Sequence, residues 1–287
     1  MRVDQLAVQV APEDVELQKS WTRESISPEG WLIPLPADCV AELDEVAAAV
    51  RATPRPVDTL DPADFSLGAC TAVMASVRAK LETDTGLAVV DRFPVERYGQ
   101  AENLAIGWLL AAMLGQVVAQ KANGTRLYDV KDSGQALGYG VRRSVTNLGQ
   151  PFHTDGGWLW KAPAFVGLFC LESAMEGGLS RFVSLVTAHH ELRRRRPDLL
   201  ARLYQPFHWD RQGEHAPDAP RVSRRSSSSR AARWPRATTR TTSGTAPSWR
   251  AQSSTTRAGR LSRPCGRSWT IPPTGSSSGS RRASSST

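Results

Sequence analysis

Cysteine is scarce in this chain: four in 287 residues (Cys39, Cys70, Cys170 and Cys265), with no C-x-x-C pair and no regular spacing. That pattern argues against a disulfide scaffold or a thiolate zinc site and predicts a reducing, cytoplasmic setting. Long apolar runs are missing as well. The longest, Leu104 to Gly115, has 12 residues, short of the ~20 needed to cross a bilayer. Met1 to Ser20 has no apolar centre of the kind a signal peptide carries, so no membrane association is expected. The sharpest absence is local. From Ser226 to Thr287 there is no Asp, Glu, Lys, His, Tyr, Phe, Val, Asn or Met.

Those last 62 residues hold 17 Ser, 11 Arg and 10 Thr. The net charge of +8 is therefore not a property of the whole chain. Upstream of residue 226 there remain 25 basic residues (36 less these 11) against all 28 acids, a net of −3. Residues 1–225 and 226–287 need separate arguments.

The first part has the patterning of a globular domain. Val40, Leu43, Val46, Ala47 and Val50 fall on one face of a helix predicted over Asp38 to Arg51. Leu67, Cys70, Val73, Met74, Val77 and Leu81 make a second stripe ending before Gly86. Leu87 to Val90 reads as a buried strand and Leu104 to Val118 as a buried helix. Short strands are predicted at Tyr128–Val130, Val141–Val145, Phe165–Leu171 and Arg181–Leu185, the last two joined through a turn at Gly177-Gly178. A helix from Thr187 to Tyr204 should break at Pro197. Helices first and short strands afterwards predict an α+β domain with an antiparallel β core.

The chemistry concentrates at Gln150-Pro-Phe-His153-Thr-Asp155-Gly-Gly-Trp158. On an extended segment, His153 and Asp155 point to the same face, because strand side chains alternate. An imidazole nitrogen and a carboxylate oxygen offered together are two of the three ligands of a 2-His-1-carboxylate iron site. Taken alone, H-x-D more often describes a surface turn whose side chains hydrogen-bond loop backbone.

The surroundings shift the balance towards the first. Ser144-Val-Thr-Asn147, Phe152-His-Thr-Asp155-Gly, Val166-Gly-Leu-Phe-Cys-Leu-Glu172 and Gly177-Gly-Leu-Ser180-Arg-Phe-Val-Ser184 together resemble the taurine dioxygenase/TfdA family of iron(II)- and 2-oxoglutarate-dependent oxygenases. The resemblance runs upstream through Gly86-Leu-Ala-Val-Val-Asp-Arg-Phe-Pro94 and Tyr128-Asp-Val-Lys-Asp-Ser-Gly134, and downstream to Pro206-Phe-His-Trp-Asp-Arg211. It implies a double-stranded β-helix (jelly-roll) core behind N-terminal helices. It also implies iron(II) as metal, 2-oxoglutarate as cosubstrate, and O₂ and a small organic molecule as partners, with hydroxylation as the reaction. His153 and Asp155 match the family's first two iron ligands. Ser180, 27 residues after His153, sits where the family has a hydroxyl that contacts the 2-oxoglutarate carboxylate; a turn residue after the glycines reads the same way. Asn147 and Thr146 are placed to face substrate or to support the loop. His189 and His190, on the predicted helix, and His208 and His215, in a Pro-rich loop, are not expected to supply the third ligand.

That ligand should lie beyond residue 225, with an Arg that pairs with 2-oxoglutarate, and neither is recognisable there. Three readings compete for 226–287: a disordered Ser/Arg tail that neutralises nucleic-acid phosphates, a flexible phosphorylation target, and a stretch out of frame with its ancestral gene. GC-rich codons read out of frame yield this mixture of Ser, Arg, Thr, Ala, Pro and Trp. Shifting Ser268 to Thr287 allows a peptide such as LDDPANWVEFRLEPG, which resembles the family's strand before the distal His. The same shift of Arg233 to Thr241 allows LAARYDEY. The expectation is an incomplete β core that supplies no tail strand, and an oxygenase inactive as it stands. The alternative is a non-catalytic jelly-roll binding protein whose basic tail contacts nucleic acid, which is not the expected partner.

Overall fold

A computed structural model of the chain describes residues 17–156, 162–210 and 213, and the backbone of 222–226 and 250–256. Helix α1 (Ala37–Ala52) buries Cys39, Leu43, Val46, Ala47 and Val50, and α2 (Gly68–Thr83) buries Cys70, Val73, Met74 and Val77. Both follow the expected stripes, except that Cys39 rather than Val40 takes the first inward position. Helix α3 (Gln100–Leu114) is buried nearly all round, from Ala105 to Leu110. It stops short of Val118 because Gly115 turns the chain at φ +150°, a conformation L side chains rarely adopt. Gln116–Val117 then runs on as strand β3.

These three helices make one apolar core with Ile33, Leu60, Leu67 and Val117. Leu43, Ile106, Leu109 and Val46 are its most enclosed large side chains. Trp108 contributes its ring, and its indole N–H donates to the Leu60 carbonyl at 2.9 Å, which satisfies the single polar group that a buried Trp brings.

Helix α2 has no side-chain cap of its own. Glu42 of α1 supplies one, accepting from the backbone N–H of Ala69 (2.7 Å) and Cys70 (2.8 Å). Partial burial by itself would raise the Glu42 pKa, but the Cys70 and Ala69 amides outweigh it and hold the carboxyl below its ordinary 4.5. A depressed acid stabilises the fold at pH above its unfolded value and loses that contribution as pH falls through the folded value. Glu42→Gln is therefore expected to lower the thermal midpoint at pH 7, with the difference from the unaltered chain closing below pH 4.5. Thermal melts at pH 7 and pH 3 check this; an equal gap at both would refute it.

The β part departs from expectation. Strands β1 (Leu32–Ile33) and β2 (Val89–Val90) pair in parallel. Strand β4 (Phe165–Cys170) pairs in parallel with β7 (Arg250–Thr256), which also pairs in parallel with β3. Only β5 (Pro206–Asp210) and β6 (Val222–Ser226) are antiparallel. The α+β class holds in that helices precede the strands; the described strands form three small sheets, of which one is antiparallel. Within 226–287, Arg250–Thr256 runs as strand β7. Ladder pairing needs only backbone groups, and four of those seven residues are Ser or Thr. The remainder of 227–287 lies outside the described residues.

Three predicted strands are replaced. Tyr128–Val130 contains no strand beyond an isolated bridge residue at Asp129, Arg143–Val145 is a 3₁₀ turn, and 181–184 has no regular structure before helix α4 (Leu185–Arg195). Their short apolar stretches lack a neighbour to pair with, and β propensity counts only where a pleated partner exists. Helix α5 (Pro197–Leu203) follows α4 after the break expected at Pro197. His208, expected in a loop, lies exposed in β5; His215 lies outside the described residues.

Strand β4 reaches the helical layer through Phe169, which meets Phe93 edge-on at 5.3 Å and packs over Gly107 of α3. A Cβ at 107 would stand 3.2 Å from the Phe169 ring. The opposite face, Val166 and Leu168, is 50% and 59% exposed, so β4 is covered on one side. Helix α4 is anchored by the N-terminal segment. Ser184 caps it by accepting from Thr187 N–H at 3.0 Å and donates to the Lys19 carbonyl, while Thr187 donates to the Trp21 carbonyl at 2.8 Å. Ser184→Ala is expected to cost about 1 kcal/mol or more, read as a fall in the urea midpoint; no change would show the cap to be dispensable.

Candidate functional site

Residues 151–156 form a bend and a turn rather than the strand expected of the H-x-D segment. Pro151 removes a ladder donor, and Gly156 sits at φ +61°, left-handed backbone that ends an extended run. The side chains converge nonetheless. His153 Nε2 lies 3.4 Å from Asp155 Oδ1. The turn achieves what strand alternation was expected to achieve.

His153 is oriented from behind. Its Nδ1 is 2.9 Å from the Pro151 carbonyl and its Nε2 is 3.1 Å from the Gln150 amide nitrogen. With Nδ1–H donating to that carbonyl, the Nε2 lone pair faces Asp155 and the Gln150 amide. A backbone carbonyl on one ring nitrogen is a usual means of fixing a ligand imidazole; here the Gln150 amide engages the other. Both side chains are nearly half exposed, 46% and 47%, so the pair opens to solvent.

The loop after Gly177-Gly178, both at positive φ as the expected turn requires, returns to this turn. The Arg181 guanidinium lies over the Phe152 ring at 5.5 Å, which brings the segment carrying Ser180 against the residue before His153. Ser180 itself is exposed. Thr146 uses its hydroxyl locally, donating to the Arg143 carbonyl (2.8 Å) and accepting from Leu148 N–H (3.3 Å). Asn147 is exposed on the same loop, which Arg143 ties down by donating to the Gly149 carbonyl at 3.0 Å. Gln150 and Arg181 are the neighbours that sequence reasoning missed. Both stand in the quoted motifs, but their contacts depend on a turn that the strand reading did not contain.

The other histidines are not part of this arrangement. His189 is buried, its Nε2 2.9 Å from the Tyr204 hydroxyl, and burial, then the neighbouring His190 and Arg193, push its pKa down. Among the described residues no group of three His, Cys, Asp or Glu is placed to hold a metal ion. His153 and Asp155 offer one imidazole nitrogen and one carboxylate, and among the described residues no third such group joins them.

A helical layer leads to a His-x-Asp turn with a following Gly-Gly loop. The family described as taurine catabolism dioxygenase TauD, TfdA family, matches residues 54–278, and the chain belongs to it. That range continues past the change of composition at residue 226. The general chemistry of this family is that of iron(II)- and 2-oxoglutarate-dependent oxygenases acting on small molecules with O₂, and its fold is a jelly roll. The chain is 25% identical over 183 residues to the taurine hydroxylase-like protein SAT17 of Stachybotrys chartarum (strain CBS 109288 / IBT 7711), an alignment covering 60% of this chain and 45% of that protein. The chain thus spans less than half the length of this curated relative. No helix among the described residues is long and apolar enough to cross a membrane.

Proposed function

We propose that this chain derives from an iron(II)- and 2-oxoglutarate-dependent hydroxylase of a small organic substrate and retains a two-donor remnant of its metal site, without competent turnover. The observation that carries the reading is the convergence of His153 Nε2 and Asp155 Oδ1 to 3.4 Å, with the ring held by the Pro151 carbonyl. In this reading His153 and Asp155 are the ligands and Ser180 faces the cosubstrate carboxylate. Asn147 lines the substrate side, and Thr146 fixes the loop that carries it. Iron with 2-oxoglutarate and O₂ supplies the oxidation in the family; what this chain contributes is two oriented donors in an open turn. Residues 1–225 are the oxygenase part and 226–287 an aberrant tail, and the expected location remains the cytoplasm.

Two ligands without a third hold a divalent ion weakly. Titration of the full chain with cobalt(II), followed by its visible absorption, is expected to give half-saturation near or above a millimolar level, and His153→Ala and Asp155→Ala are each expected to abolish it. Saturation at micromolar cobalt would overturn the reading, because it requires a third protein ligand. An unchanged titration in either variant would remove the site from this turn.

A further inference from the structure

Cys39 and Cys70 come from different helices, 31 residues apart, and both are fully buried. Both are free thiols in this structure, with sulfurs 2.7 Å apart, between the ~2.05 Å of a disulfide bond and an ordinary non-bonded contact. We infer that Cys39 and Cys70 are a modification site, joined as a disulfide between α1 and α2 by exchange with a low-molecular-weight disulfide such as oxidised glutathione.

The packing is built to hold this pair together. Cys39 opens the buried face of α1, and Glu42, almost one turn later, binds the amides of Ala69 and Cys70 at the start of α2. The same helix therefore presents a sulfur and a carboxylate to the first turn of its neighbour. Metal bridging does not fit. Two thiolates on one tetrahedral ion with ~2.3 Å bonds keep their sulfurs ~3.7 Å apart, and no third metal-binding side chain joins them among the described residues.

The chemistry balances as two exchange steps. One protein thiolate attacks the glutathione disulfide, forming a mixed disulfide and releasing one glutathione thiolate. The second protein thiolate attacks the mixed disulfide, forming the Cys39–Cys70 bond and releasing a second glutathione. Two protein S–H bonds are lost, their protons pass to solvent and the released thiolates, and the two electrons reside on the two reduced glutathiones. Burial pushes both thiols up, and for Cys70 the bond from Cys39 adds to it, so little thiolate exists in the closed core. The exchange therefore belongs to the assembling helices, before their interface closes. The spacing argument concerned sequence pattern and the contact is tertiary; a reducing cytoplasm keeps such a pair as thiols, so the bond belongs to oxidising conditions.

The full chain, denatured and reduced, is refolded in a buffer of reduced and oxidised glutathione, then denatured and alkylated with N-ethylmaleimide. The expected result is alkylation at Cys170 and Cys265 only, and a proteolytic fragment that links Cys39 to Cys70. The oxidised chain should melt about 5–10 °C above the same chain reduced, because the cross-link closes a loop of some thirty residues. Alkylation at all four cysteines, or a bond involving Cys170 or Cys265, overturns the inference. Cys39→Ser should leave Cys70 alkylated and remove the difference between oxidised and reduced melts; a difference that survives also overturns it. The mapping on the unaltered chain stands whether or not that variant folds.

Discussion

Succinate release from 2-oxoglutarate by the full chain, with iron(II) and ascorbate, is expected to stay at the level of the protein-free mixture. The version with its frame restored near codon 226 is expected to exceed it by at least ~100-fold. The argument is a count of groups. No histidine follows His215 in this sequence; His189 bonds Tyr204, His190 lies beside Ser20 and His208 is exposed in β5, while His215 lies outside the described residues. In the proposed reading the cosubstrate also lacks the arginine that the family resemblance implies after a distal histidine. A charge-assisted pair of that kind is worth roughly 1.5–3 kcal/mol, which alone is ~10- to 150-fold. Weakened iron retention multiplies that loss. Arg181, over Phe152 at 5.5 Å, is a cation beside the turn, and Arg181→Ala should leave the background unchanged if it does not substitute. Iron-dependent turnover by the present chain equal to that of the restored one would show the count to be wrong.

Leu109→Ala is expected to destabilise the chain by about 3–5 kcal/mol, the largest effect of any single truncation considered. Leu109 is 1% exposed and lies on α3, which packs against both α1 and α2. Truncating it leaves a cavity that Leu43 and Ile106, equally enclosed, have no slack to fill. The matched control is Leu168→Ala on β4, 59% exposed, expected to shift stability by less than about 0.5 kcal/mol. Urea unfolding of the two variants checks the pair. Equal costs would mean that the three-helix layer is not the stabilising core, or that the outer face of β4 is covered in solution.

The helices were legible because their signal is local. The stripe from Leu43 to Val50 requires only that 3.6 residues make a turn, and α1 and α2 formed within two residues of their expected limits. The break at Pro197 was legible for the same reason. The strands were not, because an apolar run becomes a strand only when a partner offers backbone groups. Phe165–Cys170 found one in Arg250–Thr256, a segment whose composition argued against strands, whereas Val141–Val145 pairs with no strand among the described residues.

The candidate site divides along the same line. By itself the sequence determined which residue types could bind a metal, His153 and Asp155 in a motif shared with one family, and which were missing after residue 215. Residue identity and spacing are sufficient for that, since ligand chemistry resides in the side chain. Only the tertiary structure decided that a turn rather than a strand brings His153 to Asp155, that Arg181 comes back over Phe152, and that Cys39 meets Cys70. Each of these joins groups through the path of the backbone or across elements distant in sequence. Such contacts depend on how helices and loops stack, and no local pattern records them.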